Sequence, residues 1–219
     1  MTIGPLRGPY AVPLPVGSWL KRGFDLVGAT ALLILLLPAL PLIAIAVWLD
    51  GGPVLYRHPR VGFRGRAFGC LKYRTMVPDA DTRLAAHLSA DSGAADEWAS
   101  RRKLTRDPRV TRIGAVLRAT SLDELPQLIN VLSGSMSLVG PRPVVEDELA
   151  QHYDEDGRAA YLASRPGITG LWQVSGRSGT SYDARVDFDT AYAARWSLWL
   201  DLKILLRTIP AVLARRGAV

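Results

Sequence analysis

An uncharged apolar run over residues 26–49, LVGATALLILLLPALPLIAIAVWL, constrains this chain more than any other feature. It is longer than the roughly 20 residues a helix needs to cross a hydrocarbon core. Pro38 and Pro41 fall near its middle. Each removes a backbone N–H and crowds the preceding turn, so the run is expected to break into two half-helices. Flanking charge separates a crossing from a turn-back, because Lys and Arg collect on the cytoplasmic side. Here both flanks are basic: Lys21 and Arg22 precede the run, and Arg57, Arg60, Arg64 and Arg66 follow it. The expectation is a re-entrant membrane helix hairpin over residues 20–50 with both ends cytoplasmic. An ordinary spanning helix is the alternative, with a buried core helix behind it. Ala44-Ile45-Ala46 fits a cleavage pattern, but it lies inside the run rather than after it, which argues against a signal peptide.

Residues 1–19, with Pro5, Pro9, Pro13 and Pro15, read as a loose lead-in, and residues 51–219 as one cytosolic, membrane-associated domain. The formal net charge of +7 suits nucleic acid, an anionic membrane surface or phosphorylated substrates. No helix-turn-helix, zinc or RNP-type pattern is present, so nucleic acid is not expected as a partner. Cys70 is alone and forms no internal disulfide, as in a cytosolic protein. His58, His87 and His152 lack metal-ligand spacing.

Beyond Gly51-Gly52-Pro53, residues 54–61 and 66–74 read as extended stretches joined by Gly62-Phe63-Arg64-Gly65, a β-hairpin weakened by Pro59. Period two sets Phe68, Cys70, Lys72 and Arg74 on one face, either a solvated strand face or a phosphate contact. Residues 79–102 suggest two short helices broken at Asp91-Ser92-Gly93, and an Arg-dense turn follows at 106–112. Ser121 and Glu124 match a capping box, starting a helix with Asp123 and Glu124 in its first turn and Leu125, Leu128, Ile129 and Leu132 as a buried stripe. Pro126 then falls a turn later than the first helical position it favours. A carboxylate held ionised on such a rigid element is also suited to act as nucleophile or metal ligand. Spacing alone leaves capping the simpler account.

In Val139-Gly140-Pro141-Arg142-Pro143, two prolines lock the backbone around Arg142, and Gly140 permits close approach of a ligand. A fixed guanidinium makes a good bidentate phosphate partner, against the plainer reading of a surface turn. Residues 165–177, RPGITGLWQVSGR, repeat the theme and read as a surface loop. Neither glycine cluster has dinucleotide or P-loop spacing. From Trp196 to Arg216, Trp, Leu and cations recur at helical spacing, as in an interfacial amphipathic helix or a core helix that Pro210 should bend or end. The fold class expected is α+β: the membrane hairpin, then a mostly helical domain with a small β-hairpin and interfacial amphipathic helices.

Lys21-Arg22-Gly23-Phe24-Asp25, Lys72-Tyr73-Arg74-Thr75-Met76, residues 121–128, residues 139–143 and Arg165-Pro166-Gly167-Ile168-Thr169-Gly170 together resemble the bacterial sugar transferases, the monotopic polyprenyl-phosphate phosphoglycosyl transferases. Residues 172–178 and 196–202 are most similar to undecaprenyl-phosphate galactose or glucose phosphotransferases of exopolysaccharide synthesis. On that resemblance the chain is expected to correspond to the catalytic unit, without the large N-terminal domain of longer relatives. The resemblance implies transfer of a hexose 1-phosphate from a UDP-hexose, galactose favoured and glucose next, to undecaprenyl phosphate at the cytoplasmic face of the bacterial inner membrane. It assigns Asp123 as nucleophile and Glu124 as partner acid, both as ligands of Mg²⁺ or Mn²⁺. Lys72, Arg118, Arg142 and Arg177, with Gly140, Pro141 and Pro143, would form the phosphate and nucleotide site, and Pro38 and Pro41 the membrane break. Where the family commonly has Ser before the break proline, this chain has Leu37-Pro38. A homodimer is left open. A membrane-docked, non-catalytic member of a polysaccharide assembly complex is the competing function.

Overall fold

The computed structural model describes residues 15–101, 104–175 and 181–213. The apolar run forms the end of α1 (Ser18–Leu36) and all of α2 (Ala39–Leu49), which are bent by 68° at the break. Pro38 precedes the first residue of α2, and the Leu37 N–H turns back to the Ile34 carbonyl at 3.4 Å. Pro41 lies in the first turn of α2, where its missing N–H leaves no helical bond unmade. Pro38 therefore marks the break, and Pro41 is accommodated. Among the described residues no single helix is long and apolar enough to cross a membrane; the bent pair meets that test only together. Val27, Ile34, Leu35, Leu42, Trp48 and Leu49 are each more than 60% exposed, an apolar surface far beyond scattered exposed residues.

β1 (Leu55–Val61) and β2 (Ala67–Tyr73) form the expected antiparallel hairpin around a 3-10 turn at Phe63–Gly65. Pro59 lies opposite Gly69 and is tolerated because both strands of a two-stranded sheet are edges. α3 (Ala80–Ala90) and α4 (Ser92–Arg101) follow with the expected break, where Asp91 Oδ1 accepts the Ala94 N–H at 3.0 Å. Thr111 caps α5 (Arg112–Thr120) by accepting the Gly114 N–H at 2.9 Å. A Cβ on Gly114 would sit 2.1 Å from the Thr75 carbonyl oxygen, so only glycine lets α5 lie on the chain just past β2.

The expected capping box is not formed. Ser121 takes a left-handed conformation, φ 59°, and ends α5, with its N–H bonded to the Arg118 carbonyl at 3.2 Å. Its side chain caps nothing. Asp123 and Glu124 ride on a separate 3-10 turn, Leu122–Glu124, and α6 (Gln127–Ser133) begins directly after Pro126. That removes the sequence-level conflict over Pro126, which precedes the helix instead of interrupting its first turn. The buried face of α6 is Gln127, Leu128, Asn130 and Val131, while Ile129 and Leu132 of the expected stripe point outward.

β3 (Ser137–Val139) leads into α7 (Glu146–His152) and α8 (Glu155–Leu162), and pairs in parallel with β4 (Gly167–Thr169). The expected surface loop over residues 165–177 is thus, where described, a largely buried strand at Gly167–Thr169 and a short helix at Leu171–Ser175. A Cβ on Gly140 would meet the Arg165 carbonyl oxygen at 2.2 Å, so the close approach Gly140 permits is that of its neighbouring strand. α9 (Leu171–Ser175), α10 (Tyr182–Ala194) and α11 (Leu198–Leu213) complete the described residues. α11 runs on through Pro210 to Leu213, the last described residue, at the loss of the one bond that the residue 210 N–H would give to the Leu206 carbonyl.

The main core gathers Ala29 of α1, Leu128 and Val131 of α6, Leu138 and Val139 of β3, Leu171 of α9, Tyr192 of α10 and Ile204 of α11. The first helix is therefore part of the domain core. A buried ion cluster fastens it there: Lys21 Nζ lies 3.2 Å from Asp25 Oδ1 and 2.7 Å from Asp201 Oδ2. Asp25 Oδ1 also accepts from the Ser137 hydroxyl and the Leu138 N–H, and Asp201 accepts from Tyr192 and Trp196.

Candidate active site

The end of β2 and the residues after it, Lys72 through Thr75, organise the site, each side chain reaching a different element. Lys72 Nζ donates to Glu124 Oε1 at 2.6 Å and lies 3.9 Å from Asp123 Oδ2. Tyr73 donates its hydroxyl to the Leu40 carbonyl in α2 at 3.1 Å. The Arg74 guanidinium donates to the carbonyls of Pro53, Met76 and Val47, closing the C-terminal end of α2. Thr75 Oγ1 accepts from Arg118 Nε at 2.8 Å. The two cations expected to share one face thus separate in role: Lys72 serves the acids, and Arg74 binds the apolar helix pair to the hairpin.

Asp123 and Glu124 differ in environment although adjacent. The 3-10 turn buries Asp123 to 8% exposure and leaves the Glu124 side chain a third exposed. Burial pushes the Asp123 carboxyl up to about 6, with Glu124 adding repulsion and Lys72 and Arg118 drawing it back down. The result is a desolvated carboxylate, ionised at neutral pH and held near two cations, which suits a nucleophile. Arg118 itself is half-buried, within the field of Asp123 and Asp107. The turn at 106–112 is tied down by the Asp107–Arg109 ion pair at 2.7 Å, with Arg109 stacked on Trp98.

Arg142 emerges from a rigid base. Gly140 N–H donates to the Thr169 carbonyl and Gly167 N–H to the Pro141 carbonyl, extending the β3–β4 ladder, while Val61 N–H bonds the Val144 carbonyl on the far side of Pro143. The exposed Arg142 guanidinium lies 5.6 Å from the Trp172 ring, which Arg185 also faces at 4.8 Å. Among the described residues Arg142 makes no direct contact with Asp123 or Glu124, which meet Lys72 instead. Arg177 lies outside the described residues.

Sequence reasoning missed Thr75, which aims Arg118; Asn130, which bonds β2; and Asp189. The signal for Asn130 was a polar residue within a buried helix face. Asp189 is 2% exposed and accepts the Tyr153 hydroxyl at 3.0 Å. Burial raises its carboxyl to about 8 against the pull of Tyr153, Arg142 and Arg185. The folded chain then holds a proton that the unfolded chain releases near pH 4. Its stabilising contribution is full below about pH 4 and is lost as the pH rises through about 8. Asp189→Asn is expected to flatten the fall of the melting midpoint between pH 5 and 8; equal slopes in variant and parent would overturn this.

No group of three or more His, Cys, Asp and Glu that could enclose a metal occurs among the described residues. Asp123 and Glu124 offer hard carboxylate oxygens of the kind Mg²⁺ takes with substrate phosphates, and Lys72 holds Glu124 Oε1 at 2.6 Å.

A profile of the bacterial sugar transferase family matches residues 16–215. The chain is 52% identical over 205 residues to the exopolysaccharide production protein ExoY of Rhizobium meliloti, covering 93% of this chain and 90% of that one. It is 53% identical over 200 residues to a UDP-galactose-lipid carrier transferase of Erwinia amylovora. It is 49% identical over 200 residues to an undecaprenyl-phosphate galactose phosphotransferase of Salmonella typhimurium. Each of these two matches covers 91% of this chain and 42% of the longer relative.

Proposed function

The chain belongs to the bacterial sugar transferase family, and on that premise we propose that it transfers a hexose 1-phosphate from a UDP-hexose to undecaprenyl phosphate in exopolysaccharide synthesis. The observation that carries the reading is the buried Asp123 carboxylate beside Glu124 and Lys72. In the first step an Asp123 oxygen attacks the β-phosphorus of the donor. The bond from that phosphorus to the bridging oxygen breaks, and UMP leaves with the electron pair. In the second step a phosphate oxygen of undecaprenyl phosphate attacks the same phosphorus, forms the lipid diphosphate sugar and frees the Asp123 carboxylate. Lys72 and Arg118 offset the charge that builds on the phosphate oxygens, and Arg142 holds the diphosphate from its rigid loop. Arg177 belongs with them by motif position.

Mg²⁺ or Mn²⁺, held by Asp123 and Glu124 with the donor's phosphates, would supply further neutralisation of the diphosphate. The bent α1–α2 pair and its exposed apolar surface support a re-entrant anchor with the domain on the cytoplasmic face of the inner membrane. In that arrangement the acceptor's phosphate meets Asp123 at headgroup level while its tail stays in the bilayer. Arg57, Arg64 and Arg66 add attraction to anionic lipid.

Detergent-solubilised protein with Mg²⁺ and undecaprenyl phosphate is expected to release UMP from UDP-galactose, and less from UDP-glucose. The N-acetyl analogues should be poor donors. Release from an N-acetylated donor alone would overturn the hexose assignment, and no release from any donor would overturn the transferase reading.

A further inference from the structure

Asn130 of α6 sits at 7% exposure against the edge of β2 that β1 leaves open. Its Oδ1 accepts the Leu71 N–H at 2.9 Å and its Nδ2 donates to the Gly69 carbonyl at 2.9 Å. One side-chain amide thus does what the peptide group of a third strand would do. Backbone polarity fixes its orientation, since Leu71 offers only a donor and Gly69 only an acceptor. The amide is braced in turn: Nδ2 also reaches Ser135 Oγ at 3.2 Å, and the Asn130 carbonyl accepts from Ser133 Oγ, Ser135 Oγ and the Met136 N–H. Its chain neighbours Leu128 and Val131 and the β2 residue Cys70 belong to the main core, and a satisfied polar group in a buried, low-dielectric setting is rigid.

The two elements Asn130 joins carry the two halves of the site. Leu71 precedes Lys72 on β2, and α6, which carries Asn130, follows the 3-10 turn of Asp123 and Glu124 after Leu125 and Pro126. Among the described residues, the only other hydrogen bond between β2 and residues 122–133 is the Lys72–Glu124 contact itself. Apolar packing also joins the two elements, Cys70 with Leu128 and Val131 and Tyr73 with Leu122 and Leu125, but such contacts are non-directional, and the paired bonds of Asn130 fix the register between them. Ångström-scale misplacement of a catalytic group costs about 100-fold in rate.

We propose that Asn130 is a positioning residue for the transfer reaction, setting β2 against α6 so that Lys72 stands over Asp123 and Glu124. The inference rests on the transfer reading above. Its test is a double-mutant cycle of Asn130→Leu and Lys72→Met, followed by UMP release in detergent with Mg²⁺, undecaprenyl phosphate and the active donor. Asn130→Leu is expected to lower kcat by about 30- to 100-fold with donor KM within about threefold and a cooperative melt retained. In the Lys72→Met background the same change should cost less than about threefold, because the group it positions is gone. Equal losses in both backgrounds, or a loss confined to KM, would overturn the proposal and leave Asn130 a stabilising residue only. Should Asn130→Leu not fold, Asn130→Asp keeps the acceptor for Leu71 and loses the donor to Gly69, and activity between parent and Lys72→Met is expected; full activity overturns the proposal. Failure of the parent protein to release UMP would instead count against the transfer reading.

Discussion

Asp123→Asn is expected to abolish UMP release and covalent labelling by radioactive UDP-sugar, a loss of at least about 10⁴-fold, on the scale seen when a nucleophile is removed. The amide nearly matches the carboxylate in shape, and the 3-10 turn and the Lys72–Glu124 ion pair remain to hold the site. Folding should therefore survive, and the loss reports chemistry. The same residue sets the acid limb of the parent's rate profile. Burial raises its carboxyl to about 6, and only the ionised form attacks, so activity should fall as the pH drops through about 6 rather than near 4. Wild-type-like labelling of the variant would sink the nucleophile assignment. An acid limb near pH 4 would show that burial does not set the titration of this carboxylate in the working enzyme.

Lys21→Met is expected to be the most disruptive change away from the acids. Lys21 is a single cation between two buried carboxylates, and the side chains of Lys21, Asp25 and Asp201 are 6%, 1% and 0% exposed. Met fills similar space but leaves both acids without their counter-ion. Breaking a buried pair in this way costs about 3–5 kcal/mol, a large part of the roughly 5–15 kcal/mol that holds a domain together. The damage should also be specific in place, because the cluster ties α1 to β3, α10 and α11. The variant should melt far lower than its parent, and the double variant Lys21→Met, Asp25→Asn should recover part of the loss by removing one orphaned charge. A melting midpoint unchanged within about 2 °C would refute the role given to this cluster.

Local signals in the chain specified much of this arrangement. The hairpin at residues 55–73, the break between α3 and α4 and the interruption at Pro38 follow from turn residues, strand alternation and a missing N–H, which act over a few residues. The acid pair and Lys72 were legible as chemistry because their motifs resemble a known family. The capping box failed for a local reason too: Ser121 is drawn into a left-handed helix end, so the hydroxyl that spacing offered as a cap faces no free N–H of a following helix.

The sequence by itself determined the apolar helix pair and the α+β class and singled out the two acids and Lys72 as candidates, since each depends on composition or short-range spacing. Tertiary structure decided which partners those residues meet. It separated Lys72 from Arg74, set Asn130 against β2, brought Gly140 onto the backbone of Arg165 and enclosed Lys21 between Asp25 and Asp201. Such contacts join segments tens of residues apart, and no local pattern encodes them. They form because burying these polar groups is tolerable only where the folded chain supplies each with a partner.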